Sequence, residues 1–250
     1  MNRFRRFRTT AFALVAAGLL ASAVPSHAYR MIQQTNTGWQ TSSTAVVTCN
    51  DAGGFTHWNT RNIIWYHNTA NQGSGKATAL TNAMTSWNNV ASANHVLSYI
   101  STATATFGTI DDINVVDWDT GNGCSGGCLA LTGLYLLSGQ VIVESDITFN
   151  NAQTWNTNGS DSDVEAVAAH EFGHSLGIHH TEVNTTPRPT MYQFYFGTDG
   201  RSLHSDDESA LQCAESTYAP SCGAFNSTCV LNADCCSGKC WIKTLPAKCL

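Results

Sequence analysis

Residues 164–180 read VEAVAAHEFGHSLGIHH, and this stretch limits the possible folds more than any other. Carried on a helix, His170 and His174 lie one turn apart and project from the same face. Glu171 stands about 100° around the axis from His170, still on that side. Val164, Val167, Ala168, Ala169, Phe172 and Leu176 clothe most other directions, so the helix must be buried nearly all round. Two imidazoles and a carboxylate inside a protein need a partner, because unpaired buried polar groups are costly. A divalent cation supplies it. Gly177 can take the left-handed conformation that ends a helix, turning the chain so that His180 comes back toward the pair. His179 is then a neighbour of lesser role.

Three neutral imidazoles leave one tetrahedral corner of a zinc ion open to water, the arrangement of a catalytic rather than a structural site. Such an ion brings the pKa of its water down to about 7 and polarises a carbonyl beside it. Glu171, next to the metal but not a ligand, is placed to take a proton from water and pass it to a leaving amine. That is the chemistry of peptide-bond hydrolysis. The five-residue core H-E-x-x-H recurs by chance on ordinary helices; the extended H-E-x-x-H-x-x-G-x-x-H rarely does.

The charge distribution points to export. Four of the 12 Lys and Arg residues (Arg3, Arg5, Arg6, Arg8) fall in the first eight positions, and none of the 18 Asp and Glu residues precedes Asp51. The basic head, an apolar run from Ala11 to Val24 and the small-x-Ala site Ser26-His27-Ala28 make residues 1–28 a secretory signal peptide. No other apolar stretch approaches the roughly 20 residues of a membrane span. The expected product is secreted, extracellular and free of the membrane once the signal is removed. Beyond residue 28 the chain is acidic, which excludes nucleic acid as a partner, since phosphate contacts need Lys and Arg.

Ten cysteines agree with an oxidising destination. Cys49, Cys124, Cys128 and Cys213 are dispersed; Cys222, Cys229, Cys235, Cys236, Cys240 and Cys249 crowd into the last 29 positions. So short a segment cannot enclose a core and must be stapled. A zinc site is the weaker reading, because the segment lacks His and the paired C-x2-C knuckles. Six cysteines allow 15 connectivities. The spacing resembles knottin mini-proteins, and that resemblance implies Cys222–Cys236, Cys229–Cys240 and Cys235–Cys249.

Between these landmarks, residues 29–53 are polar and without clear periodicity, read as a lead-in or short pro-segment. Asn62–Tyr66, Val96–Ile100 and Ile113–Trp118 read as strands. Leu80, Met84, Trp87 and Ala91 follow helical spacing. Leu129–Leu137 and Val141–Phe149 flank a three-residue hairpin loop, Ser138-Gly139-Gln140. Capping boxes are read at Ser162 with Glu165 and at Ser205 with Glu208. Strands first and the key helices later predict an α+β fold. The expected organisation is a signal peptide (1–28), the lead-in (29–53), a catalytic domain (54–219) and the cysteine-rich module (222–250).

The long histidine motif resembles the signature of metzincin metalloproteases. Within that group the chain is most similar to the matrixins: Ala168-Ala169-HEFGHSLG is close to their wording, and Met191-Tyr192 matches their methionine turn. Thr181 stands where matrixins usually have Ser. Gln193 argues against astacins and serralysins, which place a zinc-binding Tyr there. Ser205-Asp206-Asp207 leading to Leu211 resembles the last matrixin helix, Trp58–Asn68 the first strand and Asp146–Asn150 the strand before the active helix. The resemblance covers about residues 55–219.

It implies a twisted mixed β-sheet with about three helices, a monomeric zinc endopeptidase acting on protein or peptide substrates, ligands His170, His174 and His180, and Glu171 as base. Gly177 and Met191 would support the site. Leu129, Ala130 and Leu131, with Thr132, would form the edge strand that pairs with extended substrate, and Tyr192–Phe196 would wall the pocket beyond the cut bond. The chain has no histidine between Cys124 and Phe149, so one zinc is expected and not a second, structural one. Asp111, Asp112, Asp117 and Asp119 offer carboxylates to calcium, which such domains often bind; a solvated acidic turn is the alternative, since calcium-loop spacing is missing. Cys49 is expected to pair with Cys213 rather than cap the zinc, and Cys124 with Cys128. A non-catalytic binding protein with a structural metal is the competing function, and the intact Glu171 speaks against it.

Overall fold

A computed structural model of the chain describes residues 29–33, 45–47, 49, 55–58, 60–91, 93–119, 124, 126–137, 140–218, 240–241 and 248–249. Strands β1 (Arg30–Gln33), β2 (Ala45–Val47) and β3 (His57–Trp58) precede β4 (Asn62–His67). β4 alternates as a half-buried strand should: Ile63, Trp65 and His67 point inward, Asn62 and Ile64 outward. Helix α1 (Ala77–Asn88) crosses to β5 (Val96–Thr102), which lies parallel to β4. β6 (Asn114–Asp119) is also parallel to β4. β7 (Ala130–Leu137) and β8 (Val141–Asn150) form an antiparallel hairpin, with β8 parallel to β6 and β3. The short pair β9 (Trp155–Asn156) and β10 (Ser162–Asp163) leads into α2 (Val164–Ser175). β11 (Ile178–His179), a 3₁₀ turn at Gly197–Arg201 and α3 (Ser205–Tyr218) come next. The fold is α+β, a mixed and mostly parallel sheet with three α-helices among the described residues.

Both α1 and α2 pack on one face of the sheet, where β4, β6 and β8 present apolar side chains. Trp65, Trp118, Ile147 and Phe149 from the sheet meet Leu80, Met84 and Trp87 of α1 and Val164, Ala168 and Phe172 of α2, all buried. Trp65 meets Phe172 edge-on at 5.0 Å between centroids. Two of the buried indole N–H groups find carbonyls: Trp87 donates to Ala169 O at 2.8 Å and Trp58 to Ser175 O at 2.7 Å. The first bond ties α2 to α1 and the second ties it to β3 of the sheet.

The opposite face carries carboxylates that hold a loop. Asp117 accepts from the Phe107 amide at 2.9 Å, Asp146 from Gly108 at 3.0 Å and Glu144 from Asp111 at 3.0 Å. Asp117, one of the four aspartates offered to calcium, is buried and engaged by the Phe107 amide.

Three local expectations are corrected. The first helix stops at Asn88, and Ala91 is exposed; Val90 is buried in its stead. Asn88 turns its amide to the Leu97 backbone in two bonds of 2.9 and 2.8 Å, so its side chain competes with continued helix. The cap of α2 is Asp163, not Ser162. α3 opens with His204 and Asp207 as the reciprocal pair: the Asp207 carboxylate accepts the His204 amide at 2.8 Å and His204 Nδ1 accepts that of Asp206 at 3.1 Å. Ser205 and Glu208 are not the box. Within the lead-in, Met31 is fully buried, and β1 pairs antiparallel with both β2 and β11.

Cys49–Cys213 and Cys124–Cys128 are disulfides. The first joins residues 164 apart. Replacing both Cys49 and Cys213 by Ser should cost roughly 3–5 kcal/mol in urea unfolding, because so long a loop regains much chain entropy when opened. The knottin pairing falls outside the described residues, of which β12 (Cys240–Trp241) and β13 (Lys248–Cys249) form a short antiparallel ladder. Among the described residues no helix is long and apolar enough to cross a membrane.

Candidate metal centre and cleft

The helix that carries the histidines is anchored at its start. Asp163 precedes α2 in extended conformation and accepts the Ala166 amide at 3.0 Å. Arg201 holds the same carboxylate through Nε at 2.9 Å and Nη2 at 2.6 Å. Burial alone would raise the Asp163 carboxyl; Arg201 and the amide outweigh it and hold it below the usual range. A depressed carboxylate contributes stability above its unfolded value near about 4 and loses it as pH falls through the lower folded value. Asp163→Asn should therefore be less stable than the parent at pH 7 by about 1–3 kcal/mol, the gap narrowing below about pH 4. Urea titrations at pH 7 and pH 3 check this.

At its other end α2 stops at Leu176, and Gly177 takes φ of 88°. A Cβ there would stand 2.3 Å from the Thr56 carbonyl oxygen, so only glycine fits. The turn sends Ile178 and His179 into β11 against β1, and the next residue, His180, points back at α2. His180 Nε2 lies 3.1 Å from both His174 Nε2 and His170 Nε2. The ligating atoms of the three residues all lie within 4.8 Å of one another.

Hydrogen bonds on the far side of two rings set their tautomers. His170 Nδ1 donates to Thr190 O at 2.7 Å and His174 Nδ1 to Ile178 O at 2.8 Å. Their Nε2 lone pairs are thereby aimed at one point. Burial lowers the pKa of all three rings, His180 to about 3, with the neighbouring imidazoles adding to the effect at His174 and His180. Neutral rings with converging lone pairs repel one another unless a cation lies between them. The donor set fits zinc.

Glu171 lies beside this cluster, buried, with its carboxyl pushed by burial up to about 7 and drawn the other way by the hydroxyl of Thr132. Beneath, Met191 packs on the helix at Gly173, where a Cβ would come 2.2 Å from the thioether sulfur. The turn is pinned by one buried carboxylate: Asp207 accepts the amides of Thr190 at 2.8 Å and Met191 at 3.0 Å. Asp207 thus joins α3 to Thr190, whose carbonyl orients His170. Sequence reading places Asp207 at the start of a helix without its second task; a carboxylate at the third helical position is the available signal. Thr132 carries no signal, being one more β-branched residue in a strand.

The cleft over the cluster has a volume of about 550 Å³. Leu129, Ala130 and Leu131 line one side, Tyr192 to Phe196 another, and Ile32 of β1 contributes as well. β7 pairs only with β8 among the described residues, so its other edge is without a strand partner. His179 lines the cleft but does not join the three converging nitrogens.

A sequence model of the family described as matrixin matches residues 57–214. The chain is similar to interstitial collagenase from Equus caballus, 38% identical over 79 residues, which is 32% of this chain and 16% of that protein. It is also similar to karilysin from Tannerella forsythia, 44% identical over 59 residues (24% of this chain, 12% of that one). A third relative is stromelysin-3 from Rattus norvegicus, 39% identical over 69 residues (28% and 13%). The chain thus spans under a fifth of the length of these curated relatives.

Proposed function

This chain belongs to the matrixin family, and from that premise we propose that it is a secreted zinc endopeptidase that cleaves extracellular proteins or peptides. The observation that carries the reading is the convergence of three neutral imidazoles beside a buried, non-ligating carboxylate. Zinc held by His170, His174 and His180 would supply Lewis acidity, acidifying water and polarising the scissile carbonyl. Glu171 takes the proton of the attacking water and delivers it to the amine that leaves. Thr190 and Ile178 keep His170 and His174 in the ligating tautomer through their carbonyls. An extended peptide pairs with the open edge of β7 along Leu129–Thr132, and the side chain after the cut bond enters the aromatic wall of Tyr192–Phe196. That wall favours an apolar residue.

Residues 1–28 act as the export signal in this reading. Tyr29 and Met31 are buried, which supports a folded domain that starts at Tyr29 and incorporates the segment whose sequence reads as a lead-in. Residues 222–250, with their six cysteines, are read as a module for binding or targeting, or as a stapled scaffold without a partner.

The test is hydrolysis of casein or gelatin by the purified chain. Dialysis against a zinc chelator should abolish activity, and one equivalent of zinc per chain should restore it, counted by elemental analysis. Full activity without zinc, or a requirement for two ions, contradicts the proposal.

A further inference from the structure

We infer that Thr132 is a positioning residue for this reaction: its hydroxyl holds one oxygen of the Glu171 carboxylate so that the other stays aimed into the cleft. The inference rests on the protease reading above. Thr132 Oγ1 lies 2.5 Å from Glu171 Oε2 and 3.1 Å from the Glu171 backbone oxygen. A hydroxyl has one proton, and the shorter contact to the charged acceptor claims it; 2.5 Å falls in the range of a charge-assisted O–H···O bond. No other hydrogen-bond partner of that carboxylate occurs among the described residues.

A glutamate can reach a given point with several combinations of its side-chain torsions. Threonine cannot: the two heavy atoms on its Cβ leave χ1 stiff. Thr132 is also nearly buried, its exposure 9%, and it is locked in the β7–β8 ladder opposite Ile147. A rigid donor on a rigid strand therefore fixes a flexible base. The same strand offers its open edge to the substrate. Because alternate residues of a strand face opposite ways, the side chain of Thr132 turns to α2 while the β7 backbone remains available for pairing. The base and the peptide it serves are thus referenced to one element.

Removing the hydroxyl should accordingly leave substrate pairing intact and slow the chemical step. Thr132→Val, which keeps shape and strand propensity, is expected to lower kcat about 10- to 100-fold with KM within about twofold. Thr132→Ser should recover kcat to within about threefold, and zinc content should remain one per chain in both variants. A measurement independent of turnover is the unfolding temperature of the metal-stripped protein. Thr132→Val should lower it in the parent, and by clearly less in a Glu171→Leu background where no carboxylate remains to be held.

An active parent whose kcat is unmoved by Thr132→Val overturns the inference. So does a Thr132→Ser variant as slow as Thr132→Val, or an equal drop in unfolding temperature in both backgrounds. A parent that binds zinc yet cleaves nothing overturns the protease reading and the role of Thr132 with it, and is told apart by the thermal coupling, which would persist.

Discussion

Glu171→Gln is expected to reduce kcat/KM for a fluorogenic peptide by about 10²- to 10⁴-fold while zinc stays bound at one per chain. Gln is almost isosteric and its amide oxygen can still accept from Thr132, so packing and the local hydrogen bond survive. Basicity alone disappears. Without metal, burial pushes the Glu171 carboxyl up to about 7 and the Thr132 hydroxyl draws it the other way. Elemental analysis run beside the kinetics separates two explanations of an inactive variant. Lost activity with zinc retained assigns Glu171 to proton transfer. Zinc lost in parallel would make it a ligand, and a variant keeping more than about a tenth of parental activity would remove it from the chemistry.

The parts of this protein that are legible in its sequence are those whose constraint is local. The α2 stretch has apolar residues in nearly every direction around two histidines, and a buried helix is required by that pattern alone. The hairpin of β7 and β8 can be read because two β-rich runs flank a short loop. Errors arise where a distant residue chooses among local alternatives. Ser162 fits the capping-box wording, yet Arg201, 38 positions beyond Asp163, binds that aspartate and makes it the cap. Helical period continues to Ala91, but Asn88 finds the Leu97 backbone and ends the helix early. Residues 30–33 look featureless because a strand of this kind exists only through its partners, and one of those, β11, lies about 150 positions downstream. The same limit applies inside the site. Three histidines can be read from their spacing, whereas the grip of Thr132 on Glu171 and of Asp207 on the methionine turn depends on strands and helices being already assembled.

Gly177→Ala should be the most damaging single-methyl change near the site. Two separate causes act there. The backbone has φ of 88°, which costs an alanine roughly 1–2 kcal/mol. The added Cβ would also stand 2.3 Å from the Thr56 carbonyl oxygen, a backbone atom that cannot swing aside. Thr56 is held in turn, its amide donating to Ile32 O at 2.7 Å while the Ile32 amide donates to Gly177 O at 2.8 Å. Relief of the collision must therefore move the turn, and the turn delivers His180. The expected result is a loss of about 3 kcal/mol or more in urea unfolding of the metal-free protein, with zinc affinity reduced at least about tenfold. Gly75→Ala separates the causes. Its φ is 75°, but nothing lies within 4 Å of the position a Cβ would take. It should show the backbone strain alone, about 1 kcal/mol, with zinc affinity unchanged. If the two variants lose equal stability and both keep their zinc, the closeness of Thr56 does not govern the turn, and His180 is placed by something other than the fit of Gly177 against Thr56.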